Sequence, residues 1–164
     1  MKTFFLFFLI FSSAFGSDHL PFKTFSSFKA NFSQIRFIKA SNIKLKSEGN
    51  ILKKETSVIW KQIKPFENII DLSKETKNPI AKRMGDTILS VVKGNLKKLK
   101  KDFFIQKKRN RIVLTPKEEL YKKFLKSIEV SGKKYIDKFI LKELSGNYIE
   151  IKFSDYEDLS DGKK

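Results

Sequence analysis

Groups able to move protons, attack carbonyls or hold metals are scarce in this chain. His19 is the one histidine, and there is no cysteine. A Ser-His-Asp or Cys-His relay therefore cannot be assembled, and neither can a zinc or copper site of the usual nitrogen and sulfur ligands. The closest acid pairs are Glu118-Glu119 and Asp155 with Glu157. Two carboxylates could work as general acid and base, but the first pair opens a predicted helix, where acids complement the backbone dipole. The second lies in a polar tail. No glycine-rich phosphate loop is present. The expectation is a protein that is not an enzyme, with no catalytic residues, no metal and no cofactor.

What the chain has in quantity is large apolar side chains, including 17 phenylalanines in 164 residues. Part of that stock opens the sequence. Met1-Lys2 gives a positive start, Phe4 to Phe11 is an unbroken apolar run, and Ala14-Phe15-Gly16 has the small-x-small form of a cleavage site. Residues 1–16 are read as a secretory signal peptide, because eight apolar residues fall far short of the ~20 that span a bilayer. Cleavage after Gly16 leaves Ser17 first. With no cysteine to acylate, the mature protein is expected to be soluble in the periplasm, as one domain over 17–158 with a polar tail at 159–164.

The remaining apolar residues follow two periods. Phe22, Phe25, Phe28 and Phe32 recur at helical spacing, which predicts an amphipathic helix over Pro21–Lys29. From Ala30 the pattern alternates, as in a strand. Glu48-Gly49-Asn50 reads as a turn. Ser57–Ile63 and Phe66–Leu72 read as strands, the first ending at Pro65. Asn78 and Pro79 suit the cap and first position of a helix whose face carries Ile80, Met84, Ile88 and Val91 and which stops at Gly94-Asn95. Leu96–Lys101 reads as a solvated loop or strand edge. Phe103–Lys107 and Arg111–Leu114 flank a turn, and Thr115-Pro116 starts a short helix to Leu125. Strands over Ser127–Ser131, Tyr135–Leu144 and Tyr148–Phe153 follow, the last two joined at Ser145-Gly146-Asn147. The tail from Tyr156 is expected to fray. Closely spaced strands with short links predict an α+β fold, mainly β, with an antiparallel meander and helices to cover it.

Charge narrows the choice of partner. The formal net charge is +17, of which the leader's Lys2 contributes one, leaving +16. Only Arg36, Arg83, Arg109 and Arg111 are arginines, the residue suited to bidentate phosphate and base contacts. Lysines spread through apolar-polar alternation describe a solvated surface, or one that docks on acidic partners or anionic lipid, and nucleic acid is not expected.

The order of several short motifs resembles the outer-membrane lipoprotein carriers of the LolA type. Ala30-Asn31-Phe32-Ser33-Gln34 looks like the family's A-x-F-x-Q opening, and Gly49-Asn50-Ile51 like its Gly-x-hydrophobic strand start. Trp60 followed by Pro65 is similar to its W-x-x-x-x-P segment, with Ile69-Ile70-Asp71 the strand after it. Ile112-Val113-Leu114-Thr115-Pro116-Lys117 resembles hydrophobic-x-L-T-P-K, and Phe139 to Asn147 with Ile151-Lys152-Phe153 its terminal hairpin. The resemblance runs from Phe22 to Asp155. It implies an incomplete, strongly curved antiparallel β-barrel with lid helices over an apolar concavity. Such a monomer carries acylated lipoproteins from an inner-membrane ABC exporter to an outer-membrane acceptor. Where the family latches its lid with a basic residue next to proline, this chain has Lys53-Lys54-Glu55-Thr56, which makes Lys54 the latch candidate. The family's D-G-x-x-hydrophobic-x-x-Y strand after Asp71 is missing, so the chain is a short member.

For the ligand pocket, the expected strand residues are Ile51, Val58, Trp60, Ile70, Phe139 and Leu141, and the expected lid residues are Phe25, Met84 and Ile88. Each could equally be ordinary core. Two other functions fit the same residues: a periplasmic carrier of a glycolipid or fatty-acyl intermediate, and a basic surface-binding module whose core is filled.

Overall fold

The computed structural model describes residues 19–74 and 79–160. The predicted leader, the cap residue Asn78 and tail residues 161–164 lie outside that range. Nine strands alternate with three helices: β1 (Phe28–Ile38), β2 (Ile43–Lys53), β3 (Val58–Lys64), β4 (Asn68–Asp71), α1 (Pro79–Val92), α2 (Leu96–Asp102), β5 (Phe103–Lys108), β6 (Arg111–Pro116), α3 (Glu119–Lys122), β7 (Leu125–Ser131), β8 (Lys138–Glu143) and β9 (Tyr148–Asp158). They form one antiparallel sheet in the order β4-β3-β2-β1-β9-β8-β7-β6-β5. The chain meanders from β1 out to one edge at β4. The segment carrying α1 and α2 takes it to the opposite edge at β5, and a second meander returns it to lay β9 against β1. The sheet is mainly β architecture as expected, and it is open, with β4 and β5 as its edges.

Alternation decides the faces. On one face the register aligns Ala30, Ile51 and Trp60 across β1, β2 and β3, and Ile151, Phe139, Val130 and Ile112 across β9, β8, β7 and β6. All of these are buried. The opposite face carries lysines and acids, among them Glu129 between Lys142 and Arg111. Helices cover the apolar face with Val91 and Val92 of α1, Leu96 and Leu99 of α2, and Tyr121 of α3.

Several elements depart from expectation for local reasons. Residues 21–27 form no helix. Phe22 is buried in the core, while Phe25 packs on Tyr135 with ring centroids 4.4 Å apart. Ser26 and Ser27 bond to the chain end at Ser160 and Leu159. The aromatic spacing there marks separate anchor points of an irregular segment. Glu48-Gly49-Asn50 is mid-strand in β2, not a turn. A Cβ on Gly49 would lie 2.0 Å from the Lys61 carbonyl oxygen, so glycine is needed where β3 approaches at a bulge. The turn comes earlier, where Asn42 takes φ +52° after the single 3-10 turn Lys39–Ser41. Leu96–Lys101 is helical: Asn95 accepts from the Lys98 amide, and Leu96 and Leu99, three apart, face the core. Glu119–Lys122 is all that forms of the helix expected up to Leu125, and Thr115-Pro116 finishes β6. Tyr156 does not fray, because β9 runs on to Asp158 opposite Phe28. α1 matches expectation and stops at Gly94, whose φ is +69°.

Candidate functional site

The apolar face is not packed throughout. A cavity of about 210 Å³ lies between the sheet and α1. Its walls are Trp60, Ile70 and Leu72 on one side and Phe139, Leu141, Ile149 and Ile151 on the other, with Met84 and Ile88 of α1 as the cover. Trp60 and Phe139 sit four strand spacings apart in the sheet order, ~19 Å if the sheet were flat. That both line one small cavity shows how far the sheet bends. Bulges between Lys29 and Asn31, at Glu48/Gly49 and between Leu125 and Ser127 supply local twist for such bending.

The walls are held rigidly. Trp60 stacks on Phe32 at 3.9 Å between ring centroids and meets Phe153 edge-on at 6.3 Å. These contacts fix the indole in one orientation. The cover is held from its buried C-terminal residues to within a turn of its start. Val91 and Val92 are buried, and the Tyr121 hydroxyl, itself fully buried, donates to the Arg83 carbonyl at 2.8 Å and lies 2.8 Å from Thr87 Oγ1. Burial pushes the Tyr121 phenol up to about 12. Thr87 and Ser90 bond back to the carbonyls of Arg83 and Asp86, so α1 buries them without orphaned hydroxyls. At the other end of α1, Ile80 is exposed.

Gln34 is the one polar side chain in the lining. Its register partner on β2 is Ser47, whose buried hydroxyl has no hydrogen-bond partner among the described residues. Of the two, only the Gln34 carboxamide borders the chamber, where its N–H groups can donate to an ester or amide oxygen.

Six of the nine expected pocket residues line this chamber: Trp60, Ile70, Phe139, Leu141, Met84 and Ile88. Ile51 and Val58 are fully buried core, and Phe25 sits with Ile51 at a separate void of about 20 Å³. Leu72, Ile149, Ile151 and Gln34 were not singled out from sequence, although Gln34 and Ile151 follow from extending the alternation of their strands. Lys54 lies exposed in the β2–β3 turn. Its neighbour Lys53 is the buried cation: its ammonium donates to the Phe25 carbonyl, and burial, with Lys93 nearby, pulls its pKa down. A larger concavity of about 820 Å³ lies over Asn31, Ser33, Glu48, Lys138 and Lys152 on the polar face. It is a shallow surface of mixed charge and offers no enclosure.

Among the described residues no helix is long and apolar enough to cross a membrane, and no group of three or more histidines or acids could hold a metal. No family model matches the chain, and no curated protein matches it in sequence.

Proposed function

We propose that this protein is a non-enzymatic carrier that shields acyl chains of lipoproteins in transit between the inner and outer membranes, in the manner of the LolA-type carriers it resembles. In this reading the bent open sheet is an incomplete barrel and α1 its lid. The observation that carries it is the apolar chamber under α1. Protein interiors are normally close-packed, yet about 210 Å³ of partly open, apolar-walled space lies here, and an apolar chain entering it would take that surface and its own out of water. A basic surface module with a filled core has no use for it.

The chamber takes about seven methylene-sized groups at ~30 Å³ each. At ~0.8 kcal/mol per group, that is about 6 kcal/mol of burial. Several long chains need more room, so α1 must swing outward. Such a movement would break the bonds of Tyr121 to Arg83 and Thr87. The test is titration of the purified mature protein with a fluorescent acyl probe, displaced by a triacylated lipopeptide, a fatty acid or a glycolipid. Saturable binding displaced best by the lipopeptide supports the proposal. Best displacement by fatty acid or glycolipid redirects the cargo, and absence of probe binding overturns the carrier reading.

A further inference from the structure

Four of the exposed apolar side chains stand at one end of the sheet, while others such as Ile69, Ile80 and Phe104 lie elsewhere. Ile43 and Leu45 are 48% and 52% exposed, Ile63 is 50% and Phe66 is 70%. The first two lie on β2 just past its turn, and the last two where β3 ends and turns into β4. Pairing explains why they stand free. β3 ends with Lys64 opposite Glu48, so Ile43–Ser47 have no strand partner on that side. Five residues at ~3.3 Å each make an overhang of about 17 Å.

The same overhang is cationic. Lys44 and Lys46 lie in it, Arg36 and Lys39 on β1 and the turn beside it, and no acid occurs between Asp18 and Glu48. None of the four has a carboxylate within ion-pair distance among the described residues, while Lys64 and Lys61 behind them are paired with Glu48 and Glu67. Alternation sorts the overhang into two rows. Ile43 and Leu45 face as Ile38 and Arg36 do, and Lys44 and Lys46 face as Phe37 and Ile35 do. Phe37 stacks on Tyr148 at 5.1 Å, which stiffens the ridge. The face that carries Ile43 and Leu45 turns polar along β1 at Arg36 and Gln34, and Gln34 borders the chamber.

We propose that the free end of the β1–β2 hairpin, with the β3–β4 turn, docks onto an anionic phospholipid surface, its lysines meeting headgroups while Ile43, Leu45, Ile63 and Phe66 enter the interface. A narrow ridge of separate apolar side chains among unpaired cations suits a headgroup layer, which takes each side chain singly and supplies mobile negative charge. A protein partner would need a broad complementary face. The site does not depend on what fills the chamber, though it would place the chamber's wall near the bilayer.

The experiment is flotation of the mature protein with vesicles of phosphatidylcholine, with and without phosphatidylglycerol, at low and high salt. Binding is expected only with the anionic lipid and should weaken with salt. Each lysine at such a surface contributes roughly fivefold, so Lys44→Gln/Lys46→Gln should weaken binding on the order of 30-fold. Leu45→Ser/Phe66→Ser should weaken it at least about tenfold, from lost apolar burial. Both pairs are exposed and should leave the thermal midpoint in place. Lys97→Gln/Lys101→Gln on α2 removes equal charge far from the ridge and should change binding less than about threefold. Ile88→Trp, which occupies the chamber, should leave vesicle binding intact. Absence of vesicle binding, equal loss in the α2 control, or loss with Ile88→Trp would each overturn the proposal. Failure to bind an acyl probe with vesicle binding intact would remove the carrier reading alone.

Discussion

Filling the chamber separates ligand binding from folding. Ile88 lies on α1 with its side chain at the cavity and only partly buried, so Ile88→Trp can extend into existing space. The larger ring adds roughly 60 Å³ and so excludes about two of the about seven methylene-sized groups that fit. At ~0.8 kcal/mol each, the lost burial is about 1.6 kcal/mol, or roughly 15-fold in Kd. Placing more apolar surface against the pocket walls should leave stability equal or somewhat raised. The assay is fluorescent acyl-probe titration beside a denaturant melt of the same preparations. A weakening of about one order of magnitude with an unchanged or higher unfolding midpoint is expected. A folded variant that binds within about twofold of the parent would show that the probe sits elsewhere, and the chamber would lose its assigned role.

Trp60→Lys should abolish probe binding if the variant folds, and unchanged binding in a folded variant would take Trp60 out of the site. Gln34→Leu should weaken ester-bearing probes about five- to tenfold against plain alkyl probes, by removing a buried hydrogen-bonding partner, and equal effects on both would exclude polar recognition there. Tyr121→Phe should cost about 1–2 kcal/mol in denaturant unfolding, from the lost bonds to Arg83 and Thr87. Alkali should unfold the protein through the same group. Because the fold holds the Tyr121 phenol neutral up to about 12 against an ordinary 10, its stability contribution is full below pH 10 and disappears as pH rises toward 12. Burial raises Tyr156 too, with Asp137 adding to the effect. Tyr121 and Tyr156 should therefore ionise only as structure is lost, and ionisation of all four tyrosines near pH 10 in a folded protein would contradict this. Gly49→Ala should cost at least about 1–3 kcal/mol in thermal unfolding, as β3 is pushed off β2.

The strands were legible because apolar-polar alternation persists over five or more residues in most of them, and the bent sheet needs that alternation everywhere. The central helix was legible because Met84, Ile88 and Val91 share a face and Gly94 ends it. What stayed hidden depended on contacts far along the chain. Phe22, Phe25 and Phe28 look helical until Tyr135 and Tyr156 are known to meet them. Gly49 looks like a turn until β3 is known to pass within reach of its missing side chain. The lysines of α2 masked Leu96 and Leu99, whose three-residue spacing held the signal. Six of the chamber's residues could be named from alternation and motif order, since a face can be read locally. Which members of that face border empty space could not, because a cavity depends on how far the sheet bends and where α1 crosses it.

Native mass spectrometry of the protein purified from its own cells, with denaturing analysis of whatever is released, bears on the carrier proposal at its centre. A bound triacylated lipoprotein is the predicted result. A protein that arrives empty and takes up no acyl probe would contradict it.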